Sequence, residues 1–198
     1  MKSLSLTKPH VIVMVGIPGS GKSYFADRFA ETFNAPLISY GRIRDELFNV
    51  PTYNDDENTI IGRVSDYMLG ELYKTHRTFI YEGPADSRTE RQAIARLART
   101  VGYEALFVWV QTESATAQSR VKKAVHGKVT ISPAQFDSAL KHFSAPHASE
   151  KAIVISGKHT YASQLRIVLK RLVEPRIENV DNLTPPARPV AHRTIEVR

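Results

Sequence analysis

No cysteine occurs among the 198 residues, which excludes a disulfide, a thiolate nucleophile and a cysteine-based zinc site. A reducing, intracellular setting fits that absence, and cytoplasmic residence is the expectation. No apolar run approaches the length of a membrane span, and the opening Met1–Lys8 is too polar and short for the apolar region of a signal peptide. Acidic residues are in deficit, 20 against 27 lysines and arginines, for a net charge of +7. That balance favours anionic partners such as nucleotides, nucleic acid or phosphorylated small molecules. Glycine is scarce too, at 10 residues, yet Gly16, Gly19 and Gly21 fall almost together.

Those glycines belong to Gly16-Ile-Pro18-Gly19-Ser20-Gly21-Lys22-Ser23, which satisfies the phosphate-binding pattern G-x-x-x-x-G-K-[ST]. The context is right for it. His10–Val15 before it is a continuous apolar run of the kind a buried parallel strand needs. After it, Phe25, Phe29 and Phe33 recur every four residues, which predicts a helix. Backbone N–H groups and the positive helix end would cradle a β-phosphate. Lys22 would reach the β- and γ-oxygens, and the Ser23 hydroxyl would ligate Mg²⁺. Gly16, Pro18, Gly19, Ser20, Gly21, Lys22, Ser23 and Tyr24 are the expected nucleotide contacts, and ATP with Mg²⁺ the expected cofactors.

The rest of the chain alternates strand and helix. Pro36–Tyr40, Thr78–Glu82, Glu104–Val110 and Lys151–Ser156 read as further strands. Arg42–Phe48 reads as a short helix, and Glu57–Tyr73 as an amphipathic one with Ile60, Val64, Met68 and Leu72 inward. Ser87-x-x-Glu90 is a capping box whose helix is expected to bury Ile94, Leu97 and Val101. Arg88, Arg91, Arg96 and Arg99 are expected mostly on its solvated side. Thr112 is read as the cap of a helix running to about Val125, and Ser132-Pro133-Ala-Gln135 as the start of another. Tyr161–Val173 closes the series. Repeated βα units imply right-handed crossovers and a parallel sheet covered on both faces. Beyond Glu174 prolines multiply and apolar residues thin out. The expected division is therefore one domain over residues 1–174 and a Pro-rich, extended or disordered tail over 175–198. Thr194–Val197 in that tail has the makings of an added edge strand.

P-loop proteins usually place an acidic residue at the end of another strand, where it holds magnesium through water. Glu82 has that position. Asp86, four residues on, fits either a helix N-terminus or a contact to substrate or water. Arg120, Lys122, Lys123 and Lys128 could neutralise charge on the transferring phosphoryl group. Arg120 is the first choice among them.

Together these residues resemble the AAA-type P-loop ATPases and kinases grouped with the 5′-kinase domain of polynucleotide kinase. The resemblance runs over about residues 10–172. It rests on the loop from Gly16 to Ser23, Leu37-Ile-Ser39 leading to Ile43-Arg44, Phe79–Gly83, Arg91, Gly102-Tyr-Glu, the Arg120 stretch and Phe143-x-x-Pro146-x-x-x-Glu150. It implies an α/β, three-layer P-loop NTPase fold with a five-stranded parallel sheet of order 2-3-1-4-5 and a small helical lid. It also implies Mg-ATP as donor and a hydroxyl acceptor on a nucleic acid end, a nucleotide or a small metabolite. Arg44 matches the family's substrate-phosphate arginine, and Arg120 a lid arginine on the donor phosphates.

One position departs from the family. The general base is an Asp three residues before the substrate arginine, and here that position is Gly41. Phosphoryl transfer to a hydroxyl normally uses a carboxylate to orient the nucleophile and take its proton. Asp45, Asp86 and Glu82 are the alternatives. Asp45 adjoins Arg44, but adjacent helical residues point about 100° apart. The leading expectation is an ATP-dependent kinase with Lys22, Arg120 and Asp86 catalytic, Ser23 and Glu82 on the metal, and Arg44 and Asp45 on the acceptor. The alternatives are an NTPase with water as the only nucleophile, and a nucleotide-dependent or nucleic-acid-binding protein. No membrane partner is expected.

Overall fold

The computed structural model describes residues 8–123 and 131–173. β1 (His10–Val15) is buried along its whole length, which a strand can be only when both faces of its sheet are covered. Its neighbours complete a five-stranded sheet of order β2-β3-β1-β4-β5. These are β2 (Leu37–Ser39), β3 (Phe79–Glu82), β4 (Glu104–Gln111) and β5 (Ile153–Ser156). Every pairing is parallel. Alternation along β1 divides the core into two layers. Val11, Val13 and Val15 face one of them, and Ile12 and Met14 the other.

The second layer is filled by α1 (Lys22–Phe33) and α7 (Tyr161–Val173). Phe25 and Phe29 of α1 are fully buried, and Phe33 packs beside them. The first layer is covered by α2 (Tyr40–Leu47), α3 (Asp55–Lys74) and α4 (Arg88–Thr100). A small helical pair, α5 (Ser114–Lys123) and α6 (Pro133–His142), stands beyond the sheet's carboxyl edge and packs Ala117 and Phe136 on Ile17. The expected fold is therefore present, lid helices included. Both capping boxes form, at Ser87/Glu90 and at Ser132/Gln135 with Pro133 in the first turn. Val125, Lys128 and the 175–198 tail with Thr194–Val197 lie outside the described residues.

Four expectations change. α3 turns about one residue from its predicted stripe: Ile61 and Ser65 are buried, while Ile60 is 45% and Met68 36% exposed. A four-residue spacing drifts around a 3.6-residue helix, so the stripe cannot track one buried face along the helix. On α4, Ile94 and Val101 pack on the core but Leu97 is 48% exposed. Thr112 does not cap α5. Its hydroxyl donates to the Ser20 carbonyl at 2.9 Å, and Glu113 supplies the first helical carbonyl.

The largest change is Arg91, which is fully buried. Its guanidinium forms a fork on Glu150 at 2.6 and 3.1 Å and donates to the carbonyls of Ala85, Asp86 and Ser144. The loop after β3 is thereby stapled to the segment after α6. Arg44 forms a second clamp. It pairs with Glu57 at 2.7 Å, donates to Asn58 and lies 4.3 Å over the Tyr53 ring. Glu57 also accepts from the Thr52 N–H and hydroxyl and from the Tyr53 N–H. Burial alone would raise its carboxyl, but these hydrogen bonds prevail and bring it down to about 2.

Removing one partner of a buried ion pair strands the other charge, so Arg91→Met should cost about 3–5 kcal/mol in urea denaturation. Adding Glu150→Leu should recover much of that loss; simple additivity of the two would refute the clamp. The folded Glu57 carboxyl lies below its unfolded value of 4.5. Its contribution to stability is therefore complete above pH 4.5 and drains away as pH falls towards 2. Acid titration of Glu57→Gln should accordingly show a shallower stability loss across that window than the parent protein.

Candidate active site

The glycine loop leaves β1 at Gly16 and enters α1 at Lys22. The Ser20 N–H donates to the Ile17 carbonyl at 3.1 Å, closing a turn around Pro18. Gly19 has φ +76°, and a Cβ there would strike the Ala117 carbonyl. Only glycine satisfies both the conformation and the approach. On the other side Gly157, just past β5, lies so close that a Cβ would strike the Ser20 carbonyl and the Thr112 hydroxyl. The loop is thus braced from behind by α5 and by the β5–α7 connection. Its N-terminal cap on α1, Gly21, is left-handed with no side-chain hydrogen bond, so the first amides of the helix stay open to a ligand.

Lys22 folds over the loop, its ammonium donating to the carbonyls of Gly16 and, at 3.2 Å, Ile17. Burial is the main influence on it and lowers its pKa, against the opposing pull of Asp86 and Glu82. The Ser23 hydroxyl donates to Glu82 Oε1 at 2.6 Å, and the Ser39 hydroxyl to Glu82 Oε2 at 2.9 Å. Strand register explains the second contact, since Ser39 lies directly beside Glu82. Hydroxyl and carboxylate oxygens are the hard donors Mg²⁺ prefers. Among the described residues no cluster of three or more His, Asp or Glu could hold a metal by itself. The set therefore suits an ion shared with phosphate and water.

Asp86 completes this group. Its carboxyl is raised chiefly by burial, assisted by Glu90 and opposed by Lys22, His142 and Arg91. Its own backbone is held firmly: the carbonyl accepts from the Ser144 N–H at 2.8 Å and from Arg91 at 3.1 Å. Ser87, not Asp86, caps α4.

The remaining expected residues lie elsewhere. Arg120 reaches back to the Ser20 carbonyl at 3.3 Å and the Gly157 carbonyl at 3.0 Å. It lines a cavity of about 380 Å³ with Gly21, Tyr24, Gly157, His159 and Gln164. Arg44 is committed to Glu57 and Asn58, and Asp45 is exposed on α2. At Gly41 an added Cβ would meet only the Ser39 hydroxyl, at an ordinary 3.7 Å. Sequence reasoning missed Ser39, Gly157, His159 and Gln164. Only the strand register and the β5–α7 connection bring them to the site.

Comparison with known proteins agrees with this geometry. A family model described as AAA domain matches residues 11–146. No curated protein matches. An unliganded sugar kinase from Janibacter sp. HTCC2649 superposes with a TM-score of 0.61 at 16% identity, covering 84% of this chain and 96% of that one. Kti12 from Chaetomium thermophilum, in complex with ADP-AlF3, gives 0.62 at 13% identity over 84% and 100%. A chain of the Pnkp1/Rnl/Hen1 RNA repair complex gives 0.59 at 18%, over 84% of this chain but 47% of its own length. At these identities the likeness is one of fold. The glycine loop, its lysine and the sheet order 2-3-1-4-5 thus stand in a family as well as in a geometry: the chain belongs to the AAA domain family and has the fold of the P-loop kinases.

Proposed function

We propose that the protein is an ATP-dependent phosphotransferase that moves the γ-phosphoryl group of Mg-ATP to a hydroxyl of a nucleic acid end, a nucleotide or a small metabolite. The observation that carries this reading is the convergence of Lys22, the Ser23–Glu82 pair and Asp86 at the carboxyl end of one parallel sheet. Open α/β sheets bind their ligands there. The 380 Å³ cavity on the far side of the loop is the right size for a nucleoside.

The loop amides and Lys22 hold the donor phosphates, so the ammonium exchanges the carbonyls of Gly16 and Ile17 for phosphoryl oxygens. Ser23 and Glu82 are the residues that would hold Mg²⁺. When bound, the ion would neutralise charge on the phosphates. Arg120 contributes charge next to the donor, from the cavity side. Asp86 takes the part of the missing base at position 41. An acceptor oxygen bonds to the γ-phosphorus, the bridging oxygen leaves with its electron pair as ADP, and the acceptor proton passes to the Asp86 carboxylate. Burial raises that carboxyl's affinity for the proton, as suits a general base working near neutrality.

Gly41 favours a second reading, an NTPase in which water replaces the acceptor. It predicts ATP hydrolysis that no acceptor accelerates or diverts.

Lys22→Ala should abolish turnover in a protein that still melts cooperatively; surviving turnover would falsify the donor assignment. Asp86→Asn should lower kcat by about 10²–10⁴-fold and leave ATP affinity near the parent value. The parent's kcat should fall on the acid side through a limb above the ordinary carboxylate range, because Asp86 must be ionised to accept a proton. A pH profile of Asp86→Asn that kept that limb would assign the base elsewhere.

A further inference from the structure

We infer that the phosphoryl acceptor is a neutral, polyhydroxylated small molecule without a phosphate of its own, an inference that rests on the phosphotransferase reading above. The acceptor side is the end of β2 and β3 away from the donor cavity, walled by α2, α3 and the start of α4. In related folds an acceptor phosphate calls for an arginine there, and the residue in place is Arg44. Its guanidinium is occupied. It is buried, paired with Glu57 at 2.7 Å, bonded to Asn58 at 2.6 Å and stacked on Tyr53. Releasing it to a ligand would leave the buried Glu57 carboxylate without its cation.

Among the described residues, most of the other cations near this end are engaged elsewhere, and Arg88, exposed at the start of α4, acts on Glu150. Arg42 pairs with Asp27 at 2.7 Å. Arg91 is enclosed by Glu150 and backbone carbonyls. Lys22 faces the donor phosphates. Arg63 is exposed one residue after Gly62, and so about 100° around α3 from the face that meets Tyr40. His142 faces Glu90, 3.8 Å away.

What the acceptor end presents instead is hydroxyl and carboxylate oxygen. A Cβ on Gly62 would lie 3.8 Å from the Tyr40 hydroxyl. Tyr40 and Tyr81 meet edge to face at 6.3 Å, and Tyr81 folds back over Gly83 so closely that a side chain there would strike its hydroxyl. Ser65 lies on the same stretch of α3 as Gly62, and its buried hydroxyl interacts with those of Tyr40 and Tyr81. Glu90 interacts with both Tyr40 and Asp86, and Asp66 with both tyrosines. Glu82, Asp86, Glu90 and Asp66 would repel a phosphomonoester, which carries about −1.5 to −2 charges at neutral pH. The same carboxylates accept hydrogen bonds from sugar-like hydroxyls, and the tyrosines both donate and accept. Transfer itself balances as above, with the new P–O bond on an acceptor hydroxyl, the proton on Asp86 and ADP as the leaving group.

The test uses the full chain with Mg²⁺ and γ-labelled ATP. Three acceptor pools are offered: neutral sugars, polyols and nucleosides; their monophosphates; and 5′-hydroxyl oligonucleotides. The expected result is label in the neutral pool, at a kcat/KM more than about tenfold above the matching monophosphate. At saturating ATP its KM should change less than about twofold from low to high salt, because no exposed ion pair holds the acceptor. Preferential label in a monophosphate or an oligonucleotide overturns this inference and leaves the kinase reading standing. Label in inorganic phosphate alone overturns the kinase reading and this one with it. Arg44→Lys and Arg44→Met supply the second arm. Both should lower the melting temperature without altering the ratio of kcat/KM between neutral and phosphorylated acceptors. A selective rise in KM for phosphorylated acceptors would make Arg44 a ligand and overturn the inference.

Discussion

The structure depends on how closely three backbones approach at the glycine loop. Gly19 touches the Ala117 carbonyl of α5, and Gly157 touches Ser20. The Ser20 carbonyl, drawn toward the rear of the loop, collects the Thr112 hydroxyl and Arg120. With its carbonyls engaged behind, the loop presents N–H groups forward, which is what a phosphate needs. Neither glycine could carry a side chain without moving one of its neighbours. Strand β1, helix α5 and the β5–α7 connection are therefore fixed relative to one another by two close backbone contacts and the hydrogen bonds beside them.

Two buried arginines fix the loops that follow β3 and α2. Arg91 ties the carbonyls of Ala85 and Asp86 to Ser144 and Glu150. Asp86 is thus aimed by a clamp whose far end lies just beyond the lid helices. Arg44 ties α2 to the start of α3 through Glu57 and Asn58. Such pairs add little net stability over a well-packed apolar core, but losing one partner is costly. Their effect is on geometry. They fix the course of loops that contribute only a few side chains to the core, among them Phe48, Ala85 and Phe143.

The sheet and the donor loop were legible because each rests on a local pattern. Continuous apolar strands, a glycine-rich turn and a helix after it follow one another along the chain, and parallel connections leave little choice of topology. Glu82 was legible as well, since strand ends meet the loop in any such fold. What escaped was settled by distant partners. An arginine on a polar helix reads as solvated, and nothing near Arg91 announces that Glu150 will bury it. Arg44 reads as a free phosphate ligand until Glu57 comes within 2.7 Å. Leu97 and the α3 stripe failed for a different reason. Helix rotation against a sheet is set by which side chains fill the space between them, so a face is right to within a residue and no better. Gly157, His159 and Gln164 carry no motif, and the cavity they line exists only because β5 ends beside the loop.

Gly41 can be argued from geometry alone. A Cβ there would have ordinary contacts, and the residue lies in the first turn of α2, two positions after the Ser39 cap, where a side chain is readily accommodated. Neither sterics nor helix propensity asks for glycine at this position. What it does provide is room beside Ser39, whose hydroxyl donates to the Glu82 carboxylate. An aspartate would add a further charge beside Ser39, the partner of Glu82, and neighbouring carboxylates raise one another's proton affinity. With Gly41, Glu82 and Asp86 are the carboxylates that act on Lys22, and the space next to Ser39 stays open. On the proposed phosphotransferase reading, a relocated base and room for a bulkier acceptor would both follow from the same missing side chain.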